Sequence, residues 1–330
     1  MRTFSLMDQL ACPRHHTQLT RQGNALHCDT GCEYPIFNEV PFLLLPDVEQ
    51  TSDVMTNESL ELARKLKVGM DTPLPRKTID ADEIDMRVQE YVAHTNSHLY
   101  KSLIGKLDCY PIPDFPMQPP SKSPIVLDIG CGWGRWCFAA ARRGFIPIGI
   151  DPSLPHVLAA QRVARQLGVT AYFIAADSRY LPFKQRTFDA AFSFSVLQHF
   201  SRENVDRTLQ SLAPLMKQDG ISMLHILNRL GLRSLQVQLQ RGFREGSDQF
   251  DTRYWSIPDA LETFGARLGP SRVEIDGFFV QARYEDRHLL TVGNRFILEI
   301  SRALTKLSRV IPFMDRFADN IWIISKTKSA

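Results

Sequence analysis

Ile125-Val126-Leu127-Asp128-Ile129 runs straight into Gly130-Cys131-Gly132-Trp133-Gly134, and this passage limits the fold more than any other stretch of the chain. A short aliphatic run bounded by turn residues reads as a strand buried on both faces. Glycines at alternate positions let the backbone turn sharply and come close to a ligand. A helix is expected next, over Trp133–Arg143. Strand, glycine turn and helix together open a parallel α/β sheet, which binds ligands beyond the carboxyl ends of its strands. A dinucleotide fingerprint, G-x-G-x-x-G, would need its last glycine where Arg135 stands, so that spacing fails. The pattern here is D-x-G-x-G-x-G, with an acid two residues before the first glycine.

The rhythm continues downstream. Ile146–Ile150, Val169–Ile174 and Asp189–Phe194 read as strands, and Gly220 opens another through Ile226. A helix over about 153–167 places Leu154, Val157, Leu158, Ala164 and Leu167 on one side. Ser201 is a good N-cap for a helix with Val205, Leu209 and Leu212 at i, i+4 and i+7. Residues 228–254 break the pattern: Arg229, Arg233, Arg241, Arg244 and Arg253 stand against Glu245, Asp248 and Asp251, as in an insertion. Ser256-Ile257-Pro258-Asp259 starts a further helix with Ile257, Leu261 and Phe264 on one face. Arg272–Val280 and Ile321–Ser325 would be closing strands. Between them Phe296, Ile300, Leu304, Leu307 and Ile311 mark a long amphipathic helix.

Composition bounds the rest. The chain has 330 residues, 44% hydrophobic and 23% charged, with a net charge of +3. That is enough chain for roughly two domains of about 150 residues. The weak charge excludes a histone-like nucleic-acid binder, though not a local basic groove. No apolar run reaches the ~18 residues of a membrane span. The first ten residues lack an apolar core flanked as in a signal peptide, so a reducing cytoplasmic setting is expected. Three regions follow: residues 1–47 with a Cys/His cluster, 48–124 as a helical linker or lid ending in a proline-rich connector, and 125–330 as the α/β domain.

The turn Asp128–Gly134, with Asp151 in Gly149-Ile150-Asp151-Pro152 and Asp177 in Ala175-Ala176-Asp177-Ser178, resembles class I S-adenosylmethionine-dependent methyltransferases over about 125–226. The resemblance implies a Rossmann-like seven-stranded sheet and S-adenosylmethionine as cofactor. It implies that Asp128, Gly130, Cys131, Gly132 and Gly134 cradle the methionine half. Asp151 and Pro152 would sit at the ribose hydroxyls, and Asp177 and Ser178 at the adenine. The chemistry agrees, because a carboxylate accepts two hydrogen bonds from a vicinal diol. Phe188–Phe200 matches the family's fourth-strand segment, which implies a backbone contact from Phe194 and places Gln198 and His199 near the reacting atoms. His199 is the obvious base there, since imidazole titrates near working pH; a histidine at this point also serves simply to start a helix.

Cys12-Pro13-Arg14-His15 and Cys28-Asp29-Thr30-Gly31-Cys32 form two knuckles able to give four ligands to one tetrahedral, structural zinc. The proposed set is Cys12, His15, Cys28 and Cys32, with His16 able to replace His15. With Tyr34-Pro35-Ile36 and Val40–Leu44, the segment resembles the zinc ribbon of the tRNA-methyltransferase activator subunit. Histidine at the second ligand position and the C-x3-C spacing depart from that family, so a zinc-free remnant is the alternative.

Three functional readings stand at this point. The first is a methyltransferase for a small-molecule or glycan acceptor, at oxygen or nitrogen, with Tyr91, Tyr100, Phe250, Tyr254, Trp255, Phe278 and Phe279 lining a pocket. The second is an RNA methyltransferase using the ribbon, disfavoured by the weak charge. The third is a non-catalytic cofactor-binding partner, disfavoured by the intact glycine turn.

Overall fold

The computed structural model describes residues 4–49, 53–67, 78–80, 83–94, 104–244 and 251–327. Strands β1 (Leu19–Gln22), β2 (Ala25–Cys28), β3 (Glu33–Phe37) and β4 (Val40–Pro41) form an antiparallel meander, followed by helices α1 (Asp53–Lys67) and α2 (Met86–His94). The alternating part then runs β5 (Ile125–Ile129), α3 (Arg135–Arg142), β6 (Ile146–Asp151), α4 (Leu154–Gln166), β7 (Tyr172–Ala175), β8 (Phe188–Ser193), α5 (Arg202–Leu212) and β9 (Met216–Leu227). It ends with α6 (Leu232–Gln240), α7 (Ile257–Leu268), β10 (Ser271–Gly277), α8 (Val292–Leu307) and β11 (Asn320–Lys326).

Strands β5 to β11 make one seven-stranded sheet in the order β10-β11-β9-β8-β5-β6-β7. Neighbours from β9 to β7 are parallel, whereas β11 is antiparallel to both β9 and β10. The chain moves outward from β5 to β6 and β7, then returns to β8 on the other side of β5. Connections diverge there, and beyond the carboxyl ends of β5 and β8 lies the switch point at which sheets of this kind bind ligands. The parallel strands are buried on both faces, with Leu127, Ile148, Ile174 and Ala191 fully inside.

The meander has no core of its own. Leu10, Leu26 and Tyr34 share a cluster with Leu127, Ile150 and Phe183, and Phe42 packs with Phe173 and Ala175. Phe42 pairs in parallel with Ala175, with Leu43 N–H donating to Ala175 O at 2.8 Å. The N-terminal segment thereby covers an edge of the large sheet that would otherwise offer unpaired backbone groups.

Several elements differ from the sequence expectation. Helix α3 starts at Arg135 because Gly134, its N-cap, is left-handed. Strand β7 starts at Tyr172, since Gly168 and its neighbours complete the turn after α4. Residues 228–254 include a regular helix, α6. Helix α8 forms where it is expected; Phe296, Ile300 and Leu307 face outward, as does Ile311 beyond its end, Leu304 is half-buried, and the buried side chains are Leu298 and Ser301.

Candidate functional site

The glycine turn leaves the carboxyl end of β5 at this switch point. Gly130, Gly132 and Gly134 all have positive φ. At all three the space is also closed: a Cβ on Gly130 would lie 2.4 Å from the Val196 side chain, one on Gly132 would lie 2.7 Å from the Tyr91 hydroxyl, and one on Gly134 would lie 2.9 Å from the Phe138 and Phe173 rings. Val196 belongs to the loop after β8, so that loop and the turn form the two sides of one cradle.

Two carboxylates line the cradle. Asp151, ending β6, accepts from Gly132 N–H at 3.0 Å and from Ser153 N–H at 2.9 Å, which holds the turn against the second strand. Its pKa is pushed up to about 6 by burial, against the pull of those two N–H groups. Asp128 accepts from the Cys137 thiol at 3.3 Å and is pushed up to about 7, mainly by burial, with the neighbouring Asp151 charge adding to it. Two buried carboxylates lacking a full cation between them are suited to a ligand that brings positive charge and hydroxyl donors. Cys131 and Cys137 are fully buried thiols whose pKa values burial drives upward, Cys131 to about 11, which makes them poor nucleophiles.

Asp177 stands at the next strand end, but its carboxylate is engaged. Arg179 donates from its backbone N–H at 2.8 Å and from its guanidinium at 2.7 Å, and both side chains are buried. Asp177 therefore organises the turn in which Ser178 sits, and Ser178 is itself bound to Thr208 at 3.0 Å. Pro152 follows Asp151 directly at the rim.

Beyond β8, Ser195 takes positive φ and donates to Gln281 Oε1 at 2.9 Å, while Gln281 Nε2 donates to Gln198 Oε1 at 3.1 Å. Gln198 Nε2 lies 3.3 Å from His199 Nε2. An amide NH2 can only donate, so His199 presents an unprotonated Nε2 here. The Phe194 ring points into a box with Trp136, His225 and Trp322. The Arg283 guanidinium lies 4.4 Å over that ring and is bound in bidentate fashion by Asp276 at 2.7 and 2.8 Å. Burial opposes ionisation of Asp276, yet Arg283 and the Trp322 N–H outweigh it and hold its carboxyl below the usual range. His225 is driven down to about 4 by burial and is neutral.

Asp128 and Asp151 thus lie at the glycine turn, and Val196 brings the loop that carries Gln198 and His199 against it. Of the expected pocket aromatics, Tyr91 lies over the glycine turn, whereas Trp255 and Phe278 are core residues; Tyr100 and Phe250 lie outside the described residues. Gln281, Arg283 and Asp286, which pairs with Arg135, were not marked by any sequence pattern. They reach the site because the segment after β10 folds back across it, and a long-range return of this kind has no local signature.

At the other end of the chain, Cys12, His15, Cys28 and Cys32 bring their ligand atoms within 4.8 Å of one another. His15 Nδ1, and not His16, is the histidine atom in the group; it lies 3.7, 3.9 and 3.5 Å from the three sulfurs. A tetrahedral zinc with ordinary bond lengths places its ligand atoms about 3.5–3.8 Å apart, so donor set and spacing both fit. Tyr34 OH lies 3.2 Å from Cys12 Sγ, and Cys32 N–H donates to Cys28 Sγ at 3.3 Å, the outer contacts that orient such ligands.

Residues 126–220 match the family model described as a methyltransferase domain. The chain is 29% identical over 147 residues to the ubiquinone biosynthesis O-methyltransferase of Agrobacterium fabrum, covering 42% of this chain and 58% of that one. It is 31% identical over 150 residues to the protein of the same name from Rhodopseudomonas palustris, covering 44% and 57%. The chain thus spans less than two thirds of the length of these relatives. Among solved structures, phosphoethanolamine N-methyltransferase 2 of Haemonchus contortus aligns with a TM-score of 0.45 at 14% identity, over 75% of this chain and 61% of that one. The glycine turn and the acid-tipped strands β5 to β7 all fall within the matched residues, so the part of the chain that carries the site is the part similar to a methyltransferase domain.

Proposed function

We propose that the protein is an S-adenosylmethionine-dependent methyltransferase that methylates an oxygen of a small-molecule acceptor. The observation that carries this reading is the cradle: a turn with no room for side chains, flanked by two buried carboxylates whose protons are held unusually tightly. The cofactor would supply a methyl group on a sulfonium, a good leaving group. Asp151 suits the ribose diol, and Asp128 with the Gly130–Gly134 backbone suits the methionine end. Pro152 and Ser178 would border the nucleoside, the Phe194 backbone would face the methionine end, and Tyr91 would close the turn from above.

Methyl transfer is an in-line displacement, and much of its acceleration comes from holding the acceptor atom collinear with the breaking bond. A hydroxyl acceptor must also lose its proton. His199 is the group proposed to accept it, its Nε2 exchanging the Gln198 amide for the acceptor hydroxyl, with Gln281 fixing the loop through Ser195 and Gln198. Oxygen is favoured over nitrogen because the curated relatives are named as O-methyltransferases. In the same reading, 1–47 is a ribbon held by a structural zinc on Cys12, His15, Cys28 and Cys32, and 48–124 contributes the cover over the cofactor.

Calorimetric titration with S-adenosylmethionine tests the proposal. We expect saturable binding by the wild-type chain and a loss of about 100-fold or more in Asp151→Ala, which removes a charge-assisted pair of hydrogen bonds and an anchor of the turn. No binding to the wild-type chain would overturn the function; unchanged binding in Asp151→Ala would overturn the ribose assignment.

A further inference from the structure

Thirteen of the fifteen exposed large hydrophobic residues among the described residues fall in two stretches, 228–244 and 290–317. On α8, Val292, Phe296, Ile300 and Leu307 form one stripe at i, i+4, i+8 and i+15, with Phe296 67% exposed. Val310, 78% exposed, continues it beyond the helix. The two stretches meet, since Asn228 Nδ2 donates to Arg316 O at 2.7 Å and to Ala318 O at 2.8 Å. Soluble surfaces scatter such residues singly; a cluster of this size marks an interaction face.

Charge identifies what the face would meet. Residues 228–254 and 290–317 together carry ten lysines and arginines against five acids, leaving a net −2 for the other 275 residues. Arg295, Arg302 and Lys306 lie along α8 beside the apolar stripe. An apolar stripe bordered by cations is the pattern of a helix lying in the headgroup region of an anionic bilayer. A second copy of the chain would instead set these cations against one another.

Both stretches also lead to the cradle. Arg253 donates to Gln198 O and His199 O, each at 2.7 Å. The segment entering α8 is tied to the glycine turn by Asp286 on Arg135, and Arg295 of α8 donates back to Leu290 O at 2.8 Å. We infer that α8 and the region around α6 dock the protein on an anionic lipid surface. Together with the function proposed above, on which this step rests, docking would present the cradle to an acceptor dissolved in the bilayer.

Co-sedimentation with vesicles tests it, using phosphatidylcholine alone and phosphatidylcholine mixed with phosphatidylglycerol. We expect binding to the mixed vesicles that is at least ~10-fold tighter than to the neutral ones and weakens with salt. Phe296→Glu with Ile300→Glu should lose ~10-fold or more, and Arg302→Glu with Arg309→Glu should lose the preference for the anionic lipid. Circular dichroism and cofactor titration of each variant report whether the fold and the cradle survive. Absence of binding, equal binding to both vesicles, or a dimer in sedimentation equilibrium that the Phe296 variant abolishes would overturn the inference. Vesicle binding by a chain that fails to bind S-adenosylmethionine would leave docking intact and remove the methyltransferase reading alone.

Discussion

Helices α4 and α8 look alike in sequence, each with apolar residues at helical spacing, but they end in opposite circumstances. The thirteen residues of α4 bury Leu154, Val157, Leu158, Ala159, Ala160, Val163 and Ala164, whereas the sixteen of α8 bury Leu298 and Ser301. The cause is the connection each helix makes. Helix α4 joins two parallel strands, β6 and β7; such a crossover must travel the length of the sheet and lies on its face. Helix α8 joins β10 and β11, an antiparallel pair that a short turn could connect. Sheet geometry therefore places no demand on where its apolar side goes. Amphipathic spacing shows that a helix has an apolar face, and topology decides what that face meets.

The two sides also differ in what fills them. Around β5, β6 and β7 the packing is of aliphatic residues with Phe138 and Phe173, whereas behind β10 and β11 it holds the Asp276–Arg283 ion pair, His225 and Trp322. Arg283→Met should show this most strongly. It leaves a buried carboxylate beside aromatic rings with only the Trp322 N–H as a close donor. We expect a loss of about 3–5 kcal/mol in urea unfolding. A loss below about 1 kcal/mol would mean that packing and not the ion pair holds this edge.

That contrast explains how much was legible in advance. The run from Ile125 through Asp128 to Gly134, the acids Asp151 and Asp177 at strand ends, and the N-caps Ser201 and Ser256 are local patterns, and each lies on the element expected of it. The site groups that were not foreseen, Gln281, Arg283 and Asp286, come from a segment far from the turn in sequence. Even at a foreseen position, local reading could not tell that Arg179, two residues on, would take the Asp177 carboxylate.

The parallel side makes its own measurable claim at Asp128, which is held near pH 7 by burial against an ordinary value of 3.8. The folded, cofactor-free chain keeps this proton more tightly than the unfolded chain does. The contribution is fully present below about pH 4 and is lost as the pH rises through 7. Asp128→Asn should therefore match wild type near pH 4 and exceed it at pH 8, by on the order of 3 kcal/mol. Equal stability at both pH values would show that the carboxylate is solvated.

The smallest effect is expected on the exposed apolar stripe of α8. Ile300 is 37% exposed on the outer stripe of α8, whereas Leu158 of α4 is 2% exposed. Leu158→Ala should cost about 2–5 kcal/mol, because the removed methyl groups leave a cavity that the tight sheet–helix contact cannot collapse. Ile300→Ala removes a comparable side chain from a surface already in water, and alanine favours the helix, so the change should stay within about 0.5 kcal/mol. The pair is best measured in dilute solution without lipid or detergent, where nothing covers the stripe. A cost for Ile300→Ala near that for Leu158→Ala would mean that α8 is covered in the isolated protein, and that its apolar face found a partner despite the freedom its connection allows.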